Sequence, residues 1–141
     1  MTTLSVSSGQ CLKITVDMEP VGKARARTVR LGSGRVVSYT PDKTANAEAM
    51  IRLAAKQQDV YFDAGTPLEL VINAWMSRPK SAKKRQYPTV KPDWDNIAKL
   101  VCDALEKYVL DNDCQIVTAT VNKRYCLVAP QIEITIRETS R

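Results

Sequence analysis

Two aspartates, Asp93 and Asp95, stand two residues apart in the stretch Lys91-Pro92-Asp93-Trp94-Asp95-Asn96-Ile97-Ala98-Lys99, and a third, Asp113, follows in Asp111-Asn112-Asp113. Carboxylates gathered in one place repel one another unless a hard cation holds them. Mg2+ is the usual one, bound by a few carboxylates together with substrate phosphate oxygens. Just upstream lie Arg78, Lys80, Lys83, Lys84, Arg85 and Lys91. A positive loop beside a negative pocket suits chemistry on a phosphate backbone, with the acids on the metal and the loop on the phosphates.

Each of these residues also has an ordinary use. Asp95 is a good N-cap for the helix that follows, which would leave Asp93 free. Lys99 leaves that helix one turn after Asp95, where it can reach a phosphate or an attacking water, but it can equally form an i, i+4 surface pair with Asp103. Asp113 lies beyond the helix. It joins Asp93 and Asp95 only if the chain returns along a helix length of about 18 Å, as a short loop and an adjacent antiparallel strand would allow.

The residues that are missing narrow the chemistry. Histidine is absent, which excludes Ser-His-Asp and Cys-His catalysis and histidine-bound zinc. Cys11, Cys102, Cys114 and Cys126 have no C-x-x-C spacing, so they read as small, partly buried hydrophobes rather than a zinc ribbon or a disulfide framework. The net charge of +6 and pI near 9.3 favour polyanionic partners. No apolar run is long enough for a membrane span. The first ten residues lack the basic start and apolar core of a signal peptide, so the expected location is the cytoplasm.

The elements that must position these residues follow from periodicity. At 141 residues one domain, 1–141, is expected. Leu12, Ile14, Val16 and Met18 alternate as a half-buried strand, as do Leu68, Leu70, Ile72, Ala74 and Met76, and again Ile132, Ile134 and Ile136. Gly32-Ser33-Gly34 sits between two β-rich stretches that carry Lys23, Arg25, Arg27, Arg30 and Arg35. This hairpin is either a DNA-contacting ribbon or a solvated face. Thr40-Pro41 reads as an N-cap followed by a first-turn proline. The helix it starts should run to about residue 58 with Ala49, Met50, Leu53 and Ala54 inward. A second helix, residues 96–108, has the apolar stripe Ile97, Leu100, Val101, Ala104, Leu105 and Tyr108. The predicted order is β-β-β-α-β-α-β-β, an α+β fold with two helices on a mixed sheet.

The motif Pro92-Asp93-Trp94-Asp95-Asn96-Ile97-Ala98-Lys99, with Asp103-Ala104-Leu105 and then Asp113-Cys114-Gln115-Ile116, resembles the RusA family of Holliday junction resolvases, small endodeoxyribonucleases of phages and prophages. The basic hairpin and Tyr39-Thr40-Pro41 are similar to the phage branch of that family. The resemblance implies a homodimer that cuts four-way DNA junctions symmetrically, in recombination and repair, with Mg2+ or Mn2+. It places metal-holding, catalytic acids at Asp93, Asp95 and Asp113 and a catalytic lysine at Lys99. It also makes Asp103 and Asp111 candidate helpers. Family members usually have two adjacent aspartates before x-Gln, whereas this chain has Asn112 as the first of that pair and an acid one residue earlier, Asp111.

On this reading Lys23, Arg25, Arg27, Arg78, Lys80, Lys83, Lys84, Arg85 and Lys91 track the DNA backbone, and binding follows junction shape rather than sequence. The competing classes are a nuclease for other branched DNA or RNA, and a basic DNA-binding module without catalysis.

Overall fold

A computed structural model describes residues 10–24, 27–39 and 41–139. Its elements are β1 (Cys11–Val16), β2 (Arg27–Arg30), β3 (Val36–Tyr39), α1 (Asp42–Lys56), β4 (Leu68–Met76), α2 (Trp94–Leu105), β5 (Ile116–Tyr125) and β6 (Gln131–Glu138). This is the order anticipated from periodicity.

Alternation builds the sheet. Leu12, Ile14 and Val16 of β1, Leu68 to Met76 in steps of two along β4, and Ile132, Ile134 and Ile136 of β6 all point to one buried face. The strands run β1-β6-β4-β5. The β1–β6 and β6–β4 pairs are antiparallel, while β4 and β5 are parallel. A parallel neighbour needs a crossover, and α2 supplies it. The β4-α2-β5 unit therefore lays α2 antiparallel to both strands, with its first residues at the C-terminal ends of β4 and β5.

The apolar stripe of α2 is as expected through Leu105, with Ile97, Leu100, Val101, Ala104 and Leu105 all buried. The helix starts two residues earlier than anticipated and stops at Leu105. There Glu106 turns extended and Lys107 takes a left-handed backbone at φ 71°. Tyr108 lies outside the helix and is exposed, with the Arg52 guanidinium 4.4 Å from its ring centroid.

The inward face of α1 corrects the sequence expectation. Thr44, Ala47, Ile51 and Ala55 are buried, whereas Ala49, Met50 and Leu53 are exposed and Ala54 is half-buried. Small residues on either side of Ile51 let α1 close down on α2, where the Arg52 side chain donates to the Ala104 carbonyl. Pro41, not Thr40, holds the cap position, with extended backbone and no side-chain bond; Thr40 lies outside the described residues.

The hairpin forms as expected but as a two-stranded ribbon apart from the main sheet. Its turn needs Gly34 at φ +89°, a left-handed conformation open to glycine without a Cβ penalty. Among the described residues no helix is long and apolar enough to cross a membrane.

Candidate active site

The entrance of α2 positions two of the three acids. Asp93 holds the N-cap position with extended backbone, and its side chain makes no capping bond. Asp95 falls in the first helical turn, so the capping position belongs to Asp93 and not to Asp95 as anticipated. Both lie where the unpaired amides of a helix N-terminus favour negative charge. Together with Lys91, Trp94 and Lys123 they line an open cleft of about 500 Å³. Asp93 and Lys91 also border a second cleft, of about 430 Å³, against Gly22, Lys23, Lys43 and Asn96. They form the wall between the two.

Lys123 was not among the residues singled out from sequence. Its ammonium donates to the Val90 carbonyl at 2.6 Å, tying the end of the basic loop to β5. Its pairing opposite Ala74 puts it on the helix-facing side of the sheet, in line with Val121 opposite Ile72. A lysine at an inward-facing strand position was the available signal. It became readable only once the β4–β5 register was known.

Several cations expected on DNA are used inside the fold. The Lys23 ammonium lies 2.7 Å from Glu48 and 3.2 Å from Asp103, clamping α1 to α2. Partial burial works against that charge, but the hydrogen bonds to Glu48 and Asp103 outweigh it and hold the Lys23 pKa above its usual value. Lys99 lies 3.4 Å from the same Asp103 and is 57% exposed. The ordinary pair therefore forms, and Asp103 is the hub of this ionic network. The Arg78 guanidinium stacks 4.2 Å above the Tyr125 ring and donates to the Ala82 and Arg85 carbonyls, and Arg85 donates to the Tyr125 hydroxyl. These two arginines pin the loop to the end of β5. Lys80, Lys83, Lys84 and Lys91 stay exposed along it. Arg25 and the side chain of Arg27 lie outside the described residues.

The third acid sits elsewhere. The Asp113 amide donates to the Glu106 carboxylate at 3.4 Å, at the C-terminal end of α2. The nearby Cys102 thiol is pushed up to about 12 by burial first and then by the charges of Asp113 and Asp103. Asp93 and Asp95 lie at the opposite end of α2, so about 18 Å of helix separates them from Asp113. The return along the helix that would unite the three does not occur within one chain, because β5 runs parallel to β4. Among the described residues no group of three or more aspartate, glutamate, cysteine or histidine side chains is placed to share one ion.

The turn carrying Asp113 is tightly made. Buried Gln115 accepts from the amides of Asp111 and Asn112 and donates to the carbonyls of Asp63 and Thr66. Asn112 accepts from the Cys114 amide, completing a reciprocal capping box. The Asp111 carboxylate pairs with Lys107 at 2.9 Å, and that bond is the first reason the Lys107 pKa lies above its usual value. The glutamine two residues after Asp113 is thus an anchor for the turn, and Asn112 fills a capping role.

A family model described as "Endodeoxyribonuclease RusA" matches residues 17–137, a span holding both clefts, the basic loop and the Asp113 turn. The chain is also similar to "Uncharacterized protein YqaN" of Bacillus subtilis (strain 168), with 33% identity over 141 aligned residues, covering 92% of this chain and 98% of that protein.

Proposed function

The chain belongs to the endodeoxyribonuclease RusA family, and from that premise we propose that it is a Mg2+-dependent, homodimeric endonuclease that resolves four-way DNA junctions by symmetric phosphodiester hydrolysis. The observation that carries this reading is the pair Asp93 and Asp95, side by side in an open cleft flanked by Lys91 and Lys123 at the foot of the basic loop.

The donor set fits the ion. Mg2+ takes one or two protein carboxylates and completes its shell with water and substrate phosphate oxygens. Asp93 and Asp95 are the carboxylates that would hold it, with Mn2+ able to substitute. When bound, the ion supplies Lewis acidity at the phosphate and lowers the pKa of a water. Lys91 and Lys123 hold the DNA backbone against the two acids. Lys99 adds positive charge at the scissile phosphate once that phosphate draws it from Asp103. Exposed Lys80, Lys83 and Lys84 follow the flanking phosphates.

Asp113 completes the site from a second chain. One chain cannot bring it to Asp93 and Asp95, whereas a two-fold dimer exchanges the two ends of the molecule. It yields two equivalent sites, as two opposed cuts require.

The test is a labelled synthetic four-way junction incubated with Mg2+ and then with EDTA. Paired nicks at symmetric positions, abolished by EDTA and absent from Asp95→Asn while that variant still binds, are expected. Cleavage by Asp95→Asn contradicts the metal assignment. Binding without cleavage in any divalent ion would make the protein a non-catalytic junction binder.

A further inference from the structure

We propose that Trp94 stacks on a base whose face a branch in the DNA has freed, so that the cleft engages branched DNA in preference to continuous duplex. The proposal rests on the reading of Asp93 and Asp95 as the cutting site above.

An exposed tryptophan alone needs no explanation. This one is placed by the helix. Position 94 lies three residues before Ile97 and seven before Val101, so it falls on the face of α2 that those two fully buried side chains define. One turn on, that face packs into the core. At position 94 it has passed the end of the core and reached the cleft that Thr89, Val90, Lys91 and Lys123 also line. None of these is buried. Trp94 is 62% exposed, the most exposed aromatic side chain among the described residues. The other tryptophan, Trp75, is half-buried on β4 and donates its indole N–H to Glu133 at 2.8 Å.

The surroundings select the occupant. Asp93 and Asp95 flank the indole in sequence and line the same cleft, so a nucleotide whose phosphate is held there sets its base next to Trp94. Lys91 and Lys123 bring the charge that attracts the backbone. An apolar peptide would have to desolvate two carboxylates and two ammonium groups to reach the indole. A nucleotide meets the ammonium groups with its phosphate and offers a flat π-face to the ring. Stacking on an aromatic side chain accepts any base, because every base has such a face. In continuous duplex both faces of each base are already covered by neighbours. At a branch the last pair of each arm has lost one neighbour, and an indole can take its place. The contact therefore reads shape and not sequence.

The test reads binding in EDTA, without cleavage. Trp75→Phe leaves Trp94 as the single tryptophan of the chain. Its emission should be quenched by a synthetic four-way junction and by single-stranded oligo(dT), and little by a continuous duplex of the same length. If Trp75→Phe does not fold, the same signal is the difference between the unmodified protein and Trp94→Phe. Trp94→Ala, at an exposed position, should leave circular dichroism and Tm unchanged. It should weaken junction binding roughly tenfold while duplex binding is unaltered, and Trp94→Phe should restore most of the loss. Emission indifferent to the junction, or equal loss of junction and duplex affinity in Trp94→Ala, overturns the proposal. So does emission that responds to protein dilution and not to DNA, the mark of a contact between copies. Quenching by the junction in a protein that cuts nothing in any divalent ion sustains the stacking and overturns the nuclease reading. Symmetric cutting by a protein whose Trp94 emission ignores the junction does the reverse.

Discussion

Asp113 donates its amide to the Glu106 carboxylate at 3.4 Å, and that contact fixes the third acid of the motif at the far end of α2 from Asp95. Residues that look like one cluster along the chain are thereby divided between the two ends of a β-α-β unit. In the dimer proposed above, that division gives each chain half of two sites rather than the whole of one.

The turn that holds Asp113 should depend on Gln115 more than on the acids around it. Gln115→Leu strands two amides and two carbonyls that the side chain now satisfies. The expected loss is about 2–4 kcal/mol, measured by urea unfolding. Asn112→Ala should cost less, about 1 kcal/mol, as the loss of one cap.

Gly22 sets the wall of the second cleft. A Cβ there would sit 2.9 Å from the Asn96 Cβ and 3.1 Å from the Pro92 Cβ, beside the Lys23 amide that donates to the Asn96 carbonyl. Gly22→Ala should cost about 1–3 kcal/mol. It should also shift the start of α2, lowering junction cleavage roughly ten- to a hundredfold. Unfolding curves and single-turnover cleavage of the same sample separate the two effects.

The basic residues fall into two groups that salt titration can tell apart. Lys83 and Lys84 are exposed on the loop, so replacing both with alanine should flatten the dependence of log Kd on log salt by about two phosphate contacts. Lys23 is engaged by Glu48 and Asp103. Lys23→Met should leave the salt slope unchanged and reduce stability by about 1–3 kcal/mol.

How far this was legible from the sequence depended on the range of the interactions. β1, β4 and β6 were readable because burial alternates within each strand, and α2 because its five buried apolar residues recur at helical spacing. The inward face of α1 was not, since buried Ala47 and Ala55 are the same residue type as exposed Ala49, and only the packing of α1 on the rest of the fold tells them apart. Lys23 looked like a hairpin cation until Glu48 and Asp103 were folded against it. The separation of Asp113 from Asp95 hinged on the parallel pairing of β4 and β5, a relation between distant segments that no local pattern encodes.

Cys102 should stand apart from the other thiols. Its pKa is raised from 9.0 to about 12, by burial first and by Asp113 and Asp103 after it, so it stays protonated where an unfolded chain would ionise. The folded state then holds the extra proton between these values, and this group's contribution to stability falls as pH rises from 9 towards 12. Ellman's reagent at pH 8 should modify exposed Cys11 and Cys114 rapidly and Cys102 only on unfolding. In Mg2+-free buffer, Cys102→Ala should flatten the alkaline decline in Tm.

The most direct test of a site shared between chains is complementation. Asp95→Asn and Asp113→Asn chains, each inactive alone, are co-expressed with different tags and the mixed dimer is purified through both. One of its two sites then carries both substitutions and the other carries neither. The account predicts that the mixed dimer nicks one strand of a four-way junction in Mg2+, at a rate per intact site close to that of the unmodified protein. A mixed dimer as inert as either variant, beside an unmodified protein that cuts, would contradict it.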